Sequence, residues 1–344
     1  MHTECHGQDR NAPSGIERSA VTTNVETVRG PVPAEDLRTV LMHEHVFVVT
    51  EEVRQSLPQA WDEEQRVADA IEGLRVLAAA GVDTIVDPTV IGLGRNIARV
   101  ARVNAEVDIN IVAATGIYTF RDVPYSFQYV GPGTLLGGDD PMVDLFVREI
   151  TEGIAGTEIK AAFLKCAIED ELTPGVERVM KAVAEAHKRT GAPITVHTSA
   201  PHRTGLVAQE VFRREGVDLG AVVIGHSGDT SDLDYLHALI DNGSLVGMDR
   251  FGLDVLLPND ERVATVAELA QEGFADRMVL AHDASCHIDW FPPGVREQLA
   301  PNWRHTYIHE AVLPALRQAG VTESQITTML VDNPRRYFTP ARGN

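Results

Sequence analysis

The sequence predicts a single-domain (β/α)8 TIM barrel, and three observations predict it. From about residue 39 onward, eight short apolar runs alternate with amphipathic helical stretches. The runs lack strict apolar/polar alternation, as suits a parallel sheet covered on both faces. Polar, chemistry-bearing residues stand at the C-terminal ends of most runs, which is the face of such a barrel where active sites are built. A chain of 344 residues accommodates eight βα units in one domain.

The first run, Thr39-Val40-Leu41-Met42, leads into His43-Glu44-His45. Taken as one strand, it sends both histidines to the same face, because residues i and i+2 share a face. Val67, Ile71, Leu74 and Ala78 then fall at i, i+4, i+7 and i+11, one stripe of a helix that Gly81 is placed to end. Thr84–Asp87, Asn110–Ala114 and Phe163–Lys165 are the next three strands. Thr173-Pro174 opens the following helix, with Val176, Val179, Val183 and His187 along it. Ile194–His197, Val222–His226, Leu245–Asp249 and Met278–Asp283 complete the eight. Residues 117–140 and 284–303 are long connections expected to shape a pocket. Residues 1–25 are polar and are expected to form a flexible tail, which assigns the barrel to residues 26–340. An open doubly wound sheet competes, but Gly92-Leu93-Gly94 lacks the third glycine of a dinucleotide fingerprint.

Composition narrows the function. Asp and Glu number 50 against 30 Lys and Arg, a formal net charge of −20. Nucleic acid and anionic membranes are not expected partners, since both select a basic face. There is no run of about 18 apolar residues to span a membrane, and the first residues lack an apolar signal-peptide core. Cys5, Cys166 and Cys286 are too few and too scattered for a disulfide framework, which suggests a reducing, cytoplasmic setting.

The strand ends carry the chemistry. His43 and His45 end the first strand, Lys165 the fourth, His197 the fifth, His226 the sixth and Asp283 the eighth. From 165 to 197 is 32 residues and from 197 to 226 is 29, one βα unit each; from 226 to 283 is 57, two units. All six side chains should converge on one face of one barrel. Four imidazoles and a carboxylate suit zinc, iron, cobalt or manganese. Six groups exceed the needs of one ion and suit two. Lys165 cannot join two cations as an ammonium, so it must be neutral, modified or turned away. His187, His237, His305 and His309 are assigned to helices, and His2, His6 and His202 to tail or loop, without a role. His282 points opposite to Asp283 and is read as structural.

With these residues placed, the chain resembles the phosphotriesterase family of the amidohydrolase superfamily. Within it, the chain is most similar to the lactonases that open N-acyl-homoserine lactones, the chemistry of quorum quenching. The matching segments span about residues 26 to 338. They are Met42-His43-Glu44-His45, Asp87-Pro88-Thr89 with Gly92-Leu93-Gly94-Arg95, Ala114-Thr115-Gly116-Ile117-Tyr118, Lys165, and His197-Thr198. Ile224-Gly225-His226-Ser227-Gly228-Asp229-Thr230, Gly247-Met248-Asp249-Arg250-Phe251-Gly252 and Asn333-Pro334 complete them.

The resemblance implies two divalent metal ions, zinc first among the candidates. His43, His45 and Asp283 would hold the buried ion, and His197 and His226 the exposed one. Lys165, carboxylated to a carbamate, would bridge them together with a hydroxide that serves as nucleophile. Asp283 would shuttle the proton to the leaving alkoxide. Tyr118 would meet the lactone carbonyl, Arg250 would be a pocket residue coupled to Tyr118, and Trp290 would wall the acyl-chain side. The implied substrate is a lactone or ester with an apolar tail, with weak phosphotriester cleavage beside it; a triesterase proper and a non-catalytic metal-binding barrel are the rivals. Leu253, Val255, Leu256 and Leu257 after the seventh strand are expected to contribute to that apolar pocket. The family also suggests a homodimer. The chain departs from related lactonases at Ala284-Ser285-Cys286, which bears on substrate preference and not on the metal centre.

Overall fold

The computed structural model describes residues 23–339. All eight predicted strands are present: β1 Val40–Leu41, β2 Thr84–Asp87, β3 Asn110–Gly116 and β4 Phe163–Ala167, then β5 Ile194–His197, β6 Val222–Gly225, β7 Leu245–Met248 and β8 Met278–Leu280. Each pairs in parallel with the next. The barrel closes between its first and last strands, where the Met42 amide donates to Leu280 O at 3.1 Å and the Asp283 amide to His43 O at 2.9 Å.

Strand residues divide between two cores by parity. Leu41, Ile85, Ile111, Leu164, Ile194, Ile224 and Val246 point outward to the helices. Val40, Val86, Val112, Phe163, Val223, Leu245 and Val279 fill the interior. Lys165, between Leu164 and Cys166 of the outer core, therefore faces inward. The covering helices are α1 Glu63–Ala79, α2 Ile97–Asn104, α3 Pro141–Thr151 and α4 Pro174–Thr190, with α5 Thr204–Arg214, α6 Leu233–Asp241, α7 Asn259–Gln271 and, beyond β8, α8 Leu313–Gln318. Helix α1 buries Val67, Ala70, Leu74 and Leu77. The predicted cap of α4 is made: Thr173 Oγ1 accepts from the Val176 amide at 3.3 Å.

Four features differ from expectation. The tail assignment lies outside the described residues up to residue 22, but Asn24 and Val25 belong to a strand, Asn24–Thr27, that forms a hairpin with Gly30–Pro33. His43 and His45 do not share one strand. The chain bends after Leu41 and resumes as His45–Val48, which pairs in parallel with Ser285–Ile288. The connection 284–303 is thus partly a strand. Lastly, β6 and β8 stop short of His226 and Asp283. Those residues, and Arg250 after β7, take left-handed backbone with φ of 62°, 53° and 64°, which ends the ladder and turns each side chain over the mouth.

Candidate active site

His43, His45, Lys165, His197, His226 and Asp283 meet at the C-terminal mouth of the barrel. All are buried except Asp283, whose side chain keeps 12% exposure. Their hydrogen-bond partners fix which ring nitrogens are bare. His226 Nδ1 lies 2.8 Å from Asp249 Oδ1, and the carboxylate only accepts, so this nitrogen carries the hydrogen. His197 Nε2 lies 2.9 Å from Glu169 Oε1 and carries its own. The remaining nitrogens, His226 Nε2 and His197 Nδ1, face each other at 2.8 Å. Two lone pairs that close need a cation or a proton between them. Burial lowers the proton affinity of both rings, His226 well below its ordinary value, and that disfavours the proton.

The other pair is arranged alike. His45 Nδ1 donates to Thr89 Oγ1 at 2.7 Å, because that hydroxyl is engaged with Asp87 Oδ1 at 2.5 Å. His45 Nε2 then points to Asp283 Oδ1 at 3.1 Å. Burial opposes protonation of His45, but Asp283 and Asp87 outweigh it and hold the ring up at about 9. His43 Nε2 lies 3.4 Å from the same Asp283 oxygen. Its Nδ1 is 3.2 Å from Asp249 Oδ2 but makes no hydrogen bond, a buried polar atom left without one. Donor atoms of His43, His226 and Asp283 lie within 4.8 Å of one another. The bare nitrogens of His226 and His197, each ring anchored from behind by a carboxylate acceptor, together with the Asp283 carboxylate, fit a divalent-metal centre.

Lys165 Nζ lies 3.5 Å from His43 Nε2. Burial pulls its ammonium down to about 8, which favours the neutral amine that a carbamate requires. Asp283 Oδ2 accepts from Arg250 Nε at 2.9 Å, and Arg250 Nη1 donates to Asp229 Oδ2 at 2.9 Å. Arg250 and Tyr118 line the same cavity but make no direct hydrogen bond. Two carboxylates are stronger acceptors than a phenol, and the Tyr118 hydroxyl donates to Glu169 instead. Burial sets Glu169 against ionisation, yet His197 and Tyr118 hold its carboxyl down at about 2.

These groups floor a cavity of about 160 Å³ walled by Val48, Leu93, Phe120, Ile288, Trp290 and Trp303. Leu93, Tyr118, Phe120 and Trp290 also border an outer groove of about 470 Å³. Trp290 lines both spaces. The apolar residues 253–257 line neither space; Val255 and Leu256 are exposed to solvent.

Three contributors escaped the sequence. Asp249 was placed at a strand end but given no role. Glu169 lies in the acidic run Glu169-Asp170-Glu171, which suggests a solvated loop; its signal was an even spacing from Lys165 along an extended segment. Glu44 has a structural task. Its fully buried carboxylate accepts from the His282 amide and His282 Nδ1, both at 2.7 Å, and from the Ala284 amide at 3.2 Å. It thereby clamps the segment that carries Asp283. His282 Nε2 accepts from the Ile308 amide at 2.8 Å, which fixes its ring as the donor to Glu44.

Comparison with known proteins agrees with this geometry. The model of the phosphotriesterase family matches residues 23–338. The chain is 57% identical over 316 residues to a phosphotriesterase homology protein of Mycobacterium tuberculosis, covering 91% of this chain and 97% of that protein. It is 40% identical over 311 residues to an aryldialkylphosphatase of Saccharolobus solfataricus, covering 90% and 97%. A more distant relative, 27% identical over 78% of this chain and 76% of the other, is the N-acetyltaurine hydrolase of Danio rerio. A solved structure of the phosphotriesterase from Mycobacterium tuberculosis superposes with a TM-score of 0.92 at 56% identity, over 93% of this chain and 100% of that one. The chain belongs to the phosphotriesterase family.

Proposed function

We propose that this phosphotriesterase-family hydrolase opens lactones, N-acyl-homoserine lactones among them, with phosphotriester cleavage as a side activity. The shape of the pocket carries this reading. One inner cavity of about 160 Å³ lies over the metal-ligand cluster, and one groove bordered by Leu93, Phe120 and Trp290 adjoins it. A flat ring with a single apolar tail matches one chamber and one groove. A phosphotriester carries three substituents around tetrahedral phosphorus and needs room for each.

Two divalent ions, one held by His43, His45 and Asp283, one by His197 and His226, both by carboxylated Lys165, would supply Lewis acidity and a water acidified toward neutrality. The protein's own groups do the rest. Arg250 grips Asp283 Oδ2, which leaves Oδ1 toward the imidazoles. Asp283 can carry a proton across the cavity to the departing alkoxide. The Tyr118 hydroxyl, 3.5 Å from His197 Nε2, borders the place where a carbonyl would lie. Trp290 and Trp303 narrow the mouth and reduce access of bulk water.

The test is kcat/KM for an N-acyl-homoserine lactone against paraoxon, on protein of measured metal content. A preference for paraoxon of about 100-fold or more, some 2.7 kcal/mol of differential transition-state binding, sinks the lactonase reading. We also propose a homodimer. Tyr125, Tyr129, Leu135 and Leu136 are exposed together on the long connection after β3, an apolar surface of the kind that marks an interface. Light scattering at micromolar concentration tests it, and a monomer mass refutes it. Among the described residues no helix is long and apolar enough to cross a membrane.

A further inference from the structure

We propose that Glu169 selects substrates: its Oε2 accepts a hydrogen bond from a substrate N–H, so the site favours rings or esters bearing an amide or amine beside the scissile carbonyl. The inference rests on the hydrolase reading above and names its substrate class more closely. Glu169 lies two residues beyond β4 and lines the inner cavity together with Tyr118, Lys165, His197 and Arg250. Its two oxygens have different surroundings. Oε1 takes both protein donors, the Tyr118 hydroxyl and His197 Nε2. Among the described residues no donor is bonded to Oε2, although the side chain is only 22% exposed. Because Glu169 lines the inner cavity, this unbonded oxygen is available to a ligand there.

The energetic asymmetry makes this selective. A substrate with an N–H completes the carboxylate's bonding. One without it covers the carboxylate and leaves an oxygen desolvated and unpaired, which costs more than the bond itself contributes. Sites built around a buried polar group reject analogues that lack the matching donor. A phosphotriester offers no donor and only acceptor oxygens, so Glu169 works against it. An N-acylamino lactone offers one N–H next to the ring.

The experiment compares two lactones, an N-acyl-homoserine lactone and its analogue with CH2 in place of the amide N–H, on the wild-type holoenzyme and on Glu169→Gln. The wild type should favour the N–H lactone in kcat/KM on the order of tenfold. Glu169→Gln can keep its oxygen toward Tyr118 and His197 and present its NH2 to the cavity, which should erase that preference. Any loss from disturbed His197 or Tyr118 geometry lowers both substrates alike and cancels in the ratio, so a purely structural role would leave the ratio unmoved. A wild-type ratio near one, or the same ratio in both proteins, overturns the proposal; the wild-type ratio decides even if the variant does not fold. If neither lactone is opened, the lactonase reading fails separately. The two compounds then serve as competitive inhibitors of paraoxon hydrolysis, and the ratio of their inhibition constants is judged by the same criterion.

Discussion

Asp249→Asn should weaken metal binding without touching a ligand. Asp249 Oδ1 accepts from His226 Nδ1 at 2.8 Å, and Oδ2 accepts from the His226 amide at 3.0 Å while lying 3.2 Å from His43 Nδ1. A carboxamide replaces one of these acceptors with a donor. If the NH2 takes the Oδ1 place, His226 Nδ1 must accept, and its proton moves to Nε2, the nitrogen that faces His197. If the NH2 takes the Oδ2 place, it meets the His226 amide donor and donates to His43 Nδ1. With an amide donor 3.2 Å from Nδ1, the His43 proton is held on Nε2, the nitrogen that faces Lys165 and Asp283. Either orientation caps a metal-facing nitrogen with a proton that a cation must expel. Loss of such an orienting partner typically costs 10- to 100-fold in metal affinity, about 1.4–2.7 kcal/mol. The assay is competition for zinc against a calibrated chelator, with circular dichroism to show that the fold is kept. An affinity within threefold of wild type refutes the assignment of Asp249 as the group that sets the His226 tautomer.

Three further outcomes are expected. Lys165→Ala should lose bound metal and activity, with partial rescue by added short carboxylates; full activity without rescue would exclude the carbamate. Glu44→Ala orphans three buried N–H donors, a loss of about 4 kcal/mol, so the melting temperature should fall by roughly 6 °C, and a fall under about 2 °C would show that the clamp is dispensable. Metal affinity should climb with pH. His45 is held up at about 9 by Asp283 and Asp87 against its burial, so below that pH the metal-free ring keeps a proton that a bound cation displaces. Lower pH then favours the metal-free form, and the apparent zinc affinity should rise about tenfold per unit between pH 6 and 8; a flat profile would contradict the displacement.

Much of this was legible because barrel strands repeat. Lys165, His197, His226 and Asp283 stand at intervals of one or two βα units, and a parallel barrel turns such intervals into proximity. What the pattern could not show was local backbone. Left-handed φ is usually announced by glycine, yet His226, Arg250 and Asp283 adopt it without one, so the sequence extends β6 to β8 past their real ends. The bend after Leu41 was hidden in the same way: Met42 and Val46–Val48 flank His43-Glu44-His45 with apolar residues, as in a continuing strand, and only the pairing with Ser285–Ile288 divides it. Glu169 and Asp249 escaped because an acidic side chain near a strand end is also the commonest solvated residue. Their meaning lies in which histidine they face, and that is a property of the closed barrel. The hydrogen-bond partners of Arg250, Asp283 and Asp229, were hidden for a related reason, since they come from the ends of other strands.

The seam between β1 and β8 sets the timing of maturation. His45 receives its Asp283 neighbour, and Glu44 its His282 and Ala284 donors, across 238 to 240 residues of chain. A ribosome-bound chain therefore holds His43 and His45 long before it holds their counterpart, and a fragment ending before residue 283 has no buried half-site to fill. Loading of the proposed buried ion would await closure of the whole barrel, among the slowest contacts to form because they are the most distant in sequence. Bound metal would thus be a certificate of complete folding, and zinc uptake during refolding should follow the last kinetic phase rather than the first.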